Sequence, residues 1–343
     1  VNERERYHFD LEGYLLVKGL LTKAEAAELL VAAKVVEGVV APRLADPIAF
    51  KGQFSIEYRT NEDLGIFFYE SMSGGGRQII IDDFLNAGSA FDLLVGHGPT
   101  MNYVRSMAAA PYQLASSELR IRHKYNKTLT HMGGPIDLRN RFCFTNQPIH
   151  EAATGDRDVR PFDLTTVRIL YALHDVPMEN GPLCVVPGSH KANFFSPYGD
   201  DPIEEPGMIG LPMEAGDALF FTENLRHGGF PNTLDTPRRT IHLAIGPRWA
   251  KSQSPAHWDD DVYVAPQAWA RYSQVQRELL PARISRVVGK DAGGHRALQE
   301  VMRDLENENQ RLRHELDSSG SGARSLPSTG RGGPLGWLTR LFT

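Results

Sequence analysis

Two histidines and a pair of arginines are the residues of this sequence best placed to do chemistry. His150 closes the strand-like run Phe142-Cys-Phe-Thr-Asn-Gln-Pro-Ile-His150. His227 follows the apolar run Ala218–Thr222, in Leu225-Arg-His-Gly-Gly229, and Arg238-Arg239 comes next. A neutral imidazole is a common transition-metal ligand, and a guanidinium is a planar fork for a carboxylate. The two histidines are far apart along the chain, so a site shared by them is made by tertiary structure. With 12 histidines in 343 residues chance pairs are common, and each alone reads as an ordinary surface or core residue.

Their context narrows the choice. The blocks Asn180-Gly-Pro-Leu-Cys-Val-Val-Pro-Gly-Ser-His-Lys191 and Gly216-Asp-Ala-Leu-Phe-Phe…His227-Gly…Arg238-Arg239 resemble the phytanoyl-CoA dioxygenase family. So does the opening Phe9…Gly13-Tyr-Leu-Leu-Val17 with the helix that follows it, and the resemblance spans roughly residues 9–250. It implies a mainly β fold with N-terminal helices, a double-stranded β-helix (jelly roll), that binds Fe(II) and 2-oxoglutarate. Such sites hold iron with two histidines and one carboxylate on one face, leaving positions open for cosubstrate and O₂. The resemblance implies His150 and His227 as the metal ligands, and Arg238 as the partner of the far carboxylate of 2-oxoglutarate. Arg239 points to the other strand face and is the fallback.

The sequence departs from the family at the carboxylate. The family pattern is His-x-Asp, whereas this chain reads His150-Glu151-Ala152. Residues i and i+2 share a strand face, so Ala152 marks an open metal corner and Glu151 points away unless the strand bulges. Asp156, Asp158 and Asp163 lie just downstream. A rival first ligand is His131-Met132-Gly133, which also lacks the carboxylate; the spacing to the next strand favours His150. Three outcomes stay open. One is an oxygenase that hydroxylates an aliphatic C–H bond, with water or a loop carboxylate as third ligand. A second is a halogenase with chloride in the open corner. The third is a non-catalytic jelly-roll binding or scaffold protein.

Upstream, Arg120-Ile-Arg-His-Lys-Tyr-Asn-Lys127 is basic. By the resemblance, Lys124, Asn126 and Lys127 are candidates for binding cosubstrate or substrate. They would favour a small acidic metabolite, and a solvated strand face is the plainer reading. His190 and Asp217 read as turn residues rather than ligands.

The elements that must position these groups are legible in outline. Phe9–Val17 reads as helix, turn and strand, and Thr22-Lys-Ala-Glu25 is a capping box that opens a helix to about Val36. Residues 38–60 show no clean period. A strand is expected over 77–81 and helix over 91–110. Short strands follow at 119–125, 140–150, 166–173, 184–186, 218–222 and 239–245, separated by Gly- and Pro-containing turns. A jelly-roll domain is expected over residues 1–255, a helical extension over 256–295, a short coiled-coil helix over 296–317 and a flexible tail over 318–343. Leu298, Met302, Leu305, Asn309, Leu312 and Leu316 form a heptad seam that suits either a homodimer through 298–316 or one helix docked on its own domain.

Composition excludes other classes. The formal net charge of −5 argues against nucleic acid as the main partner. No apolar run is long enough to span a membrane, no signal peptide is visible, and two cysteines fit a reducing cytoplasm. Phosphate-loop, dinucleotide and zinc-protease motifs are absent.

Overall fold

A computed structural model describes residues 1–108, 110–132, 164, 166–192, 196–248, 254–257 and 261–280. All of these belong to one compact unit, Val1–Arg286. The coiled-coil helix, the possible dimer seam, the tail and the strand expected at 140–150 lie outside the described residues.

Three helices precede or interrupt the strands: α1 (Glu3–Glu12), α2 (Lys23–Val40) and α3 (Gly98–Met107). The capping box forms as the sequence requires. The Thr22 hydroxyl accepts from the Glu25 amide at 3.2 Å, and the Glu25 carboxylate accepts from the Thr22 amide at 2.7 Å. The single helix expected over 91–110 is instead a 3-10 segment, Ser89–Leu94, followed by α3. The break falls at Gly96, which takes φ +79°, and Pro99 then opens α3.

The strands are β1 (Tyr14–Val17), β2 (Phe50–Lys51), β3 (Glu57–Asn61), β4 (Ile66–Ser73), β5 (Gly76–Asp82), β6 (Tyr112–Arg122), β7 (Thr128–His131), β8 (Val167–Ala172), β9 (Leu183–Val185), β10 (Ile209–Gly210), β11 (Ala218–Thr222), β12 (His227–Gly229) and β13 (Arg238–Pro247). Among the described residues they form two antiparallel sheets. The larger runs β1-β11-β8-β13-β6-β5-β4-β3-β2 and the smaller β10-β9-β12-β7, as a jelly-roll-like fold requires. The basic strand starts earlier than expected and stops at Arg122, because the chain turns through Tyr125 at φ +67°. The sequence pattern does not mark β2 to β4, β7, β10 or β12; each is short or has no clean alternation, and His227, expected just after a strand, opens β12.

Period two divides the large sheet into two faces. Leu119, Ile121, Ile169, Tyr171, Ile241 and Leu243 are buried on the helix side. There Arg239 Nε donates to Glu37 of α2 at 2.6 Å, and Tyr103 of α3 stacks on Phe220 at 4.9 Å. The other face meets the small sheet. One end of that interior is apolar, with Leu170, Leu183, Val185, Leu219 and Phe221. The other end carries Glu118, Arg120, Arg122, Arg168, Arg238 and His242. Arg122 ties the sheets together. Its Nε donates to Asn126 Oδ1 at 2.8 Å, Nη2 to Phe230 O at 2.9 Å and Nη1 to Gly181 O at 3.1 Å. Burial among carbonyls lowers its pKa to about 9.

The Asn180-Gly181 turn supplies one of those carbonyls. Gly181 has φ +66°, and a Cβ there would lie 2.4 Å from Phe230 O. Gly181→Ala is expected to destabilise the protein by about 2–4 kcal/mol in urea unfolding, from left-handed strain plus backbone overlap.

Candidate metal centre

Strand β7 runs antiparallel to β12 with His131 opposite His227. Their ring centroids are 4.3 Å apart and the planes lie at 53°. His227 is 6% exposed, and Phe221 packs against its ring at 4.9 Å. His131 stands at the exposed rim.

The two imidazoles are oriented in the same way. His131 Nδ1 lies 2.8 Å from Leu129 O, and His227 Nδ1 lies 2.7 Å from Leu225 O. A carbonyl only accepts, so each Nδ1 carries the proton and each Nε2 keeps its lone pair. A backbone carbonyl behind a ligating histidine fixes tautomer and ring orientation in metal sites. Burial, and then the charge of His131, pushes the His227 pKa down to about 3. The ring is therefore neutral and ready to ligate at neutral pH.

His227 and Arg238 are described and His150 is not; Ala152 and the downstream Asp156, Asp158 and Asp163 also lie outside the described residues. Among the described residues the imidazole facing His227 is His131, the rival first ligand of the sequence, whose short strand has too little pattern to be found there. Among the described residues no group of three or more His, Cys, Asp or Glu side chains converges as a metal cage.

Arg238 enters the interior from β13, beside Arg122 in register. It is 3% exposed, and its Nη1 donates to Gly181 O at 2.7 Å. Its Nε is buried without a partner, and no carboxylate pairs with it among the described residues. Burial and the neighbouring Arg122 and Arg120 lower its pKa well below the usual arginine range. An uncompensated buried cation with an orphaned donor is a receptor for an anion. His242 shows that these groups converge: burial lowers its pKa, and so do Arg120, Arg238, Arg168 and His227.

The other basic candidates are already engaged. Lys124 pairs with Asp235 at 2.8 Å, Lys127 pairs with Asp201, and Asn126 accepts from Arg122 and donates to Gly76 O at 3.0 Å. The charge that pointed to an acidic substrate is thus matched by acids of the chain itself. Asp217 is a turn residue, accepting from the Gly19 and Glu214 amides at 2.9 and 2.8 Å. Arg239 meets Glu37 on the helix side, away from the interior.

His190 is buried beneath α1, with Nε2 3.2 Å from Asp10 O. Burial, then Lys191, lowers its pKa to about 4 from an ordinary 6.5. The unfolded chain therefore takes up this proton first as pH falls. The stability involved is complete above about pH 6.5 and is lost toward pH 4, up to about 3 kcal/mol. His190→Gln is expected to reduce the drop in urea midpoint between pH 7 and pH 5.

Sequence reasoning missed Glu223, Arg168 and Glu118. Glu223 continues the β11 alternation two residues past Phe221, the one signal that could have found it. It ion-pairs with Arg168, which also reaches Glu118 at 3.5 Å.

Residues 134–240 match the family model for phytanoyl-CoA dioxygenase (PhyH), a stretch that includes His227 and Arg238 and begins just after His131. The fold is similar to that of HygX from Streptomyces hygroscopicus. The structure of HygX with nickel and 2-oxoglutarate bound aligns at TM-score 0.55 and 20% identity, covering 76% of this chain and 98% of HygX. A second HygX structure, with nickel, 2-oxoglutarate and hygromycin B bound, aligns at TM-score 0.53 and 18% identity, covering 76% and 98%. No curated protein sequence matches. Residues 134–240 thus resemble the phytanoyl-CoA dioxygenase family, and the described residues share a jelly-roll-like fold with HygX.

Proposed function

We propose that this protein is an Fe(II)- and 2-oxoglutarate-dependent oxygenase that hydroxylates an aliphatic C–H bond of a small molecule, with His131 and His227 as its imidazole ligands and Arg238 as its 2-oxoglutarate anchor. The observation that carries the reading is the facing pair of histidines, each with Nδ1 tied to a carbonyl and Nε2 left to ligate. Two neutral imidazoles suit Fe(II), and the orphaned Arg238 donor suits a carboxylate. When bound, the iron and cosubstrate supply the oxidising power. The chain's own part is to hold the imidazoles in one tautomer, seat the cosubstrate on Arg238, and keep water out with Phe221 and the apolar residues behind it. HygX, which shares the fold, is solved with hygromycin B, which supports a small-molecule substrate.

Halogenation is the second reading. Position i+2 from His131 is Gly133, and from His150 is Ala152, so neither candidate brings a carboxylate at that position and a chloride has a corner to fill. His150 remains the competing first ligand. The test is a titration of Mn(II) with 2-oxoglutarate present, in His131→Ala and His150→Ala. Loss of binding is expected in the first and parent-like binding in the second; the reverse pattern would move the site to His150. Formation of succinate, with or without a chlorinated product, separates the reactions.

A further inference from the structure

The residue just before each of the two facing histidines is gripped by one and the same loop. Residues 196–205 lie between β9 and β10 in the chain and are mostly exposed. Two successive carbonyls of this loop reach the strands that carry the imidazoles. The Asp200 carbonyl accepts from the Thr130 amide at 2.7 Å, one residue before His131. The Gly199 carbonyl accepts from the Arg226 guanidinium, one residue before His227. Side chains of the loop close the same two links. Asp201 pairs with Lys127, just ahead of β7. Glu205, 8% exposed, accepts from Arg226 Nε at 2.8 Å and is itself held by the Ser196 hydroxyl at 2.9 Å.

Strand β7 needs such support. It is an edge strand of the small sheet, and its ladder to β12 shifts register between His227 and Gly229. Arg226 is anchored on its other side as well, its amide donating to Ser189 Oγ at 2.9 Å and its carbonyl accepting from the Val186 amide at 2.9 Å. An ion pair sunk beneath an exposed loop costs solvation, and removing one partner strands the other charge. We propose that residues 196–205 are a clasp that sets the spacing of the two imidazoles, with Arg226 and Glu205 as positioning residues of the metal site. This rests on the metal site proposed above. Supports that orient ligands from behind typically change metal affinity 10–100-fold.

Mn(II) is titrated by calorimetry into the full-length protein under argon with saturating 2-oxoglutarate, and Co(II) absorption reports the ligand geometry of the same variants. Arg226→Met cuts the links to both Glu205 and Gly199. It is expected to weaken Mn(II) binding at least about tenfold and to shift the Co(II) ligand-field bands. Arg226→Lys should recover only part, because an ammonium lacks the planar fork that meets two acceptors at once. Glu205→Gln, which keeps the size and a hydrogen-bonding end, is expected to weaken binding about threefold or more. Arg271→Met breaks a pair of similar exposure, to Asp92 in the 3-10 segment, and is expected to bind Mn(II) like the parent. Either parent-like affinity or an unmoved Co(II) spectrum in Arg226→Met overturns the proposal, as does equal weakening in Arg271→Met. Should Arg226→Met fail to fold, Glu205→Gln decides by the same two readouts. His227→Ala separates the two levels. If it leaves Mn(II) binding intact, the metal site itself is misplaced. If it abolishes binding while Arg226→Met binds like the parent, only the clasp falls.

Discussion

His227→Ala is expected to weaken divalent-metal binding about a thousandfold or more and to abolish conversion of 2-oxoglutarate to succinate. Only two described side chains offer nitrogen ligands to the proposed centre, and among the described residues no carboxylate or thiolate converges on it as a third ligand. Removing His227 leaves a single exposed imidazole at the rim, and one imidazole does not hold a divalent ion against water. A thousandfold loss corresponds to about 4 kcal/mol. The fold should persist. Strand β12 is held by backbone bonds to both β7 and β9, and the lost side-chain bond is a local one to Leu225 O. Far-ultraviolet circular dichroism and a metal titration on the same sample check both halves. A variant that unfolds, or one that still binds metal like the parent, would count against His227 as a ligand.

Arg238→Met carries the second large effect. The guanidinium is buried, has no acidic partner among the described residues, and leaves Nε unused. Its one described bond goes to Gly181 O. With 2-oxoglutarate seated, the lost charge-assisted pair is worth about 3 kcal/mol, so the cosubstrate Kd should rise about a hundredfold. Metal affinity without cosubstrate should change little. Arg238→Lys should recover only part of the loss, because an ammonium cannot make the two-pronged contact. The apo protein should melt no lower in Arg238→Met, since the substitution removes an uncompensated buried charge. A parent-like cosubstrate Kd would show that Arg238 serves the fold. That pattern would send the search for the anchor to Arg120 or Arg168, both already paired with glutamates.

Much of this site was legible because its parts are local. The interval from His227 to Arg238 is what the family resemblance implies, the assignment of Arg238 and Arg239 to opposite faces follows from period two on one strand, and Arg239 does turn to Glu37 on the helix side. The Thr22–Glu25 cap and the Asn180-Gly181 turn are equally local. The sequence offers His131 only as the rival first ligand, and its pairing with His227 was not legible. It depends on β7 pairing with β12 across a long stretch of chain, and β7 is four residues with no clean alternation. Glu118, Arg120 and Arg122 misled for another reason. Charged residues alternating with Leu119 and Ile121 normally mark a solvent face. Here the second face is covered by the small sheet, and the charges pair with one another or with carbonyls inside the protein. Glu223 was hidden in the same way, because its partner Arg168 comes from another strand.

The most direct test is a crystal structure of the full-length protein grown under argon with Mn(II) and 2-oxoglutarate. The predicted result is a metal ion held by Nε2 of His131 and of His227, with the far carboxylate of 2-oxoglutarate on Arg238. Manganese bound away from those two nitrogens, or a cosubstrate anchored elsewhere than Arg238, would contradict it.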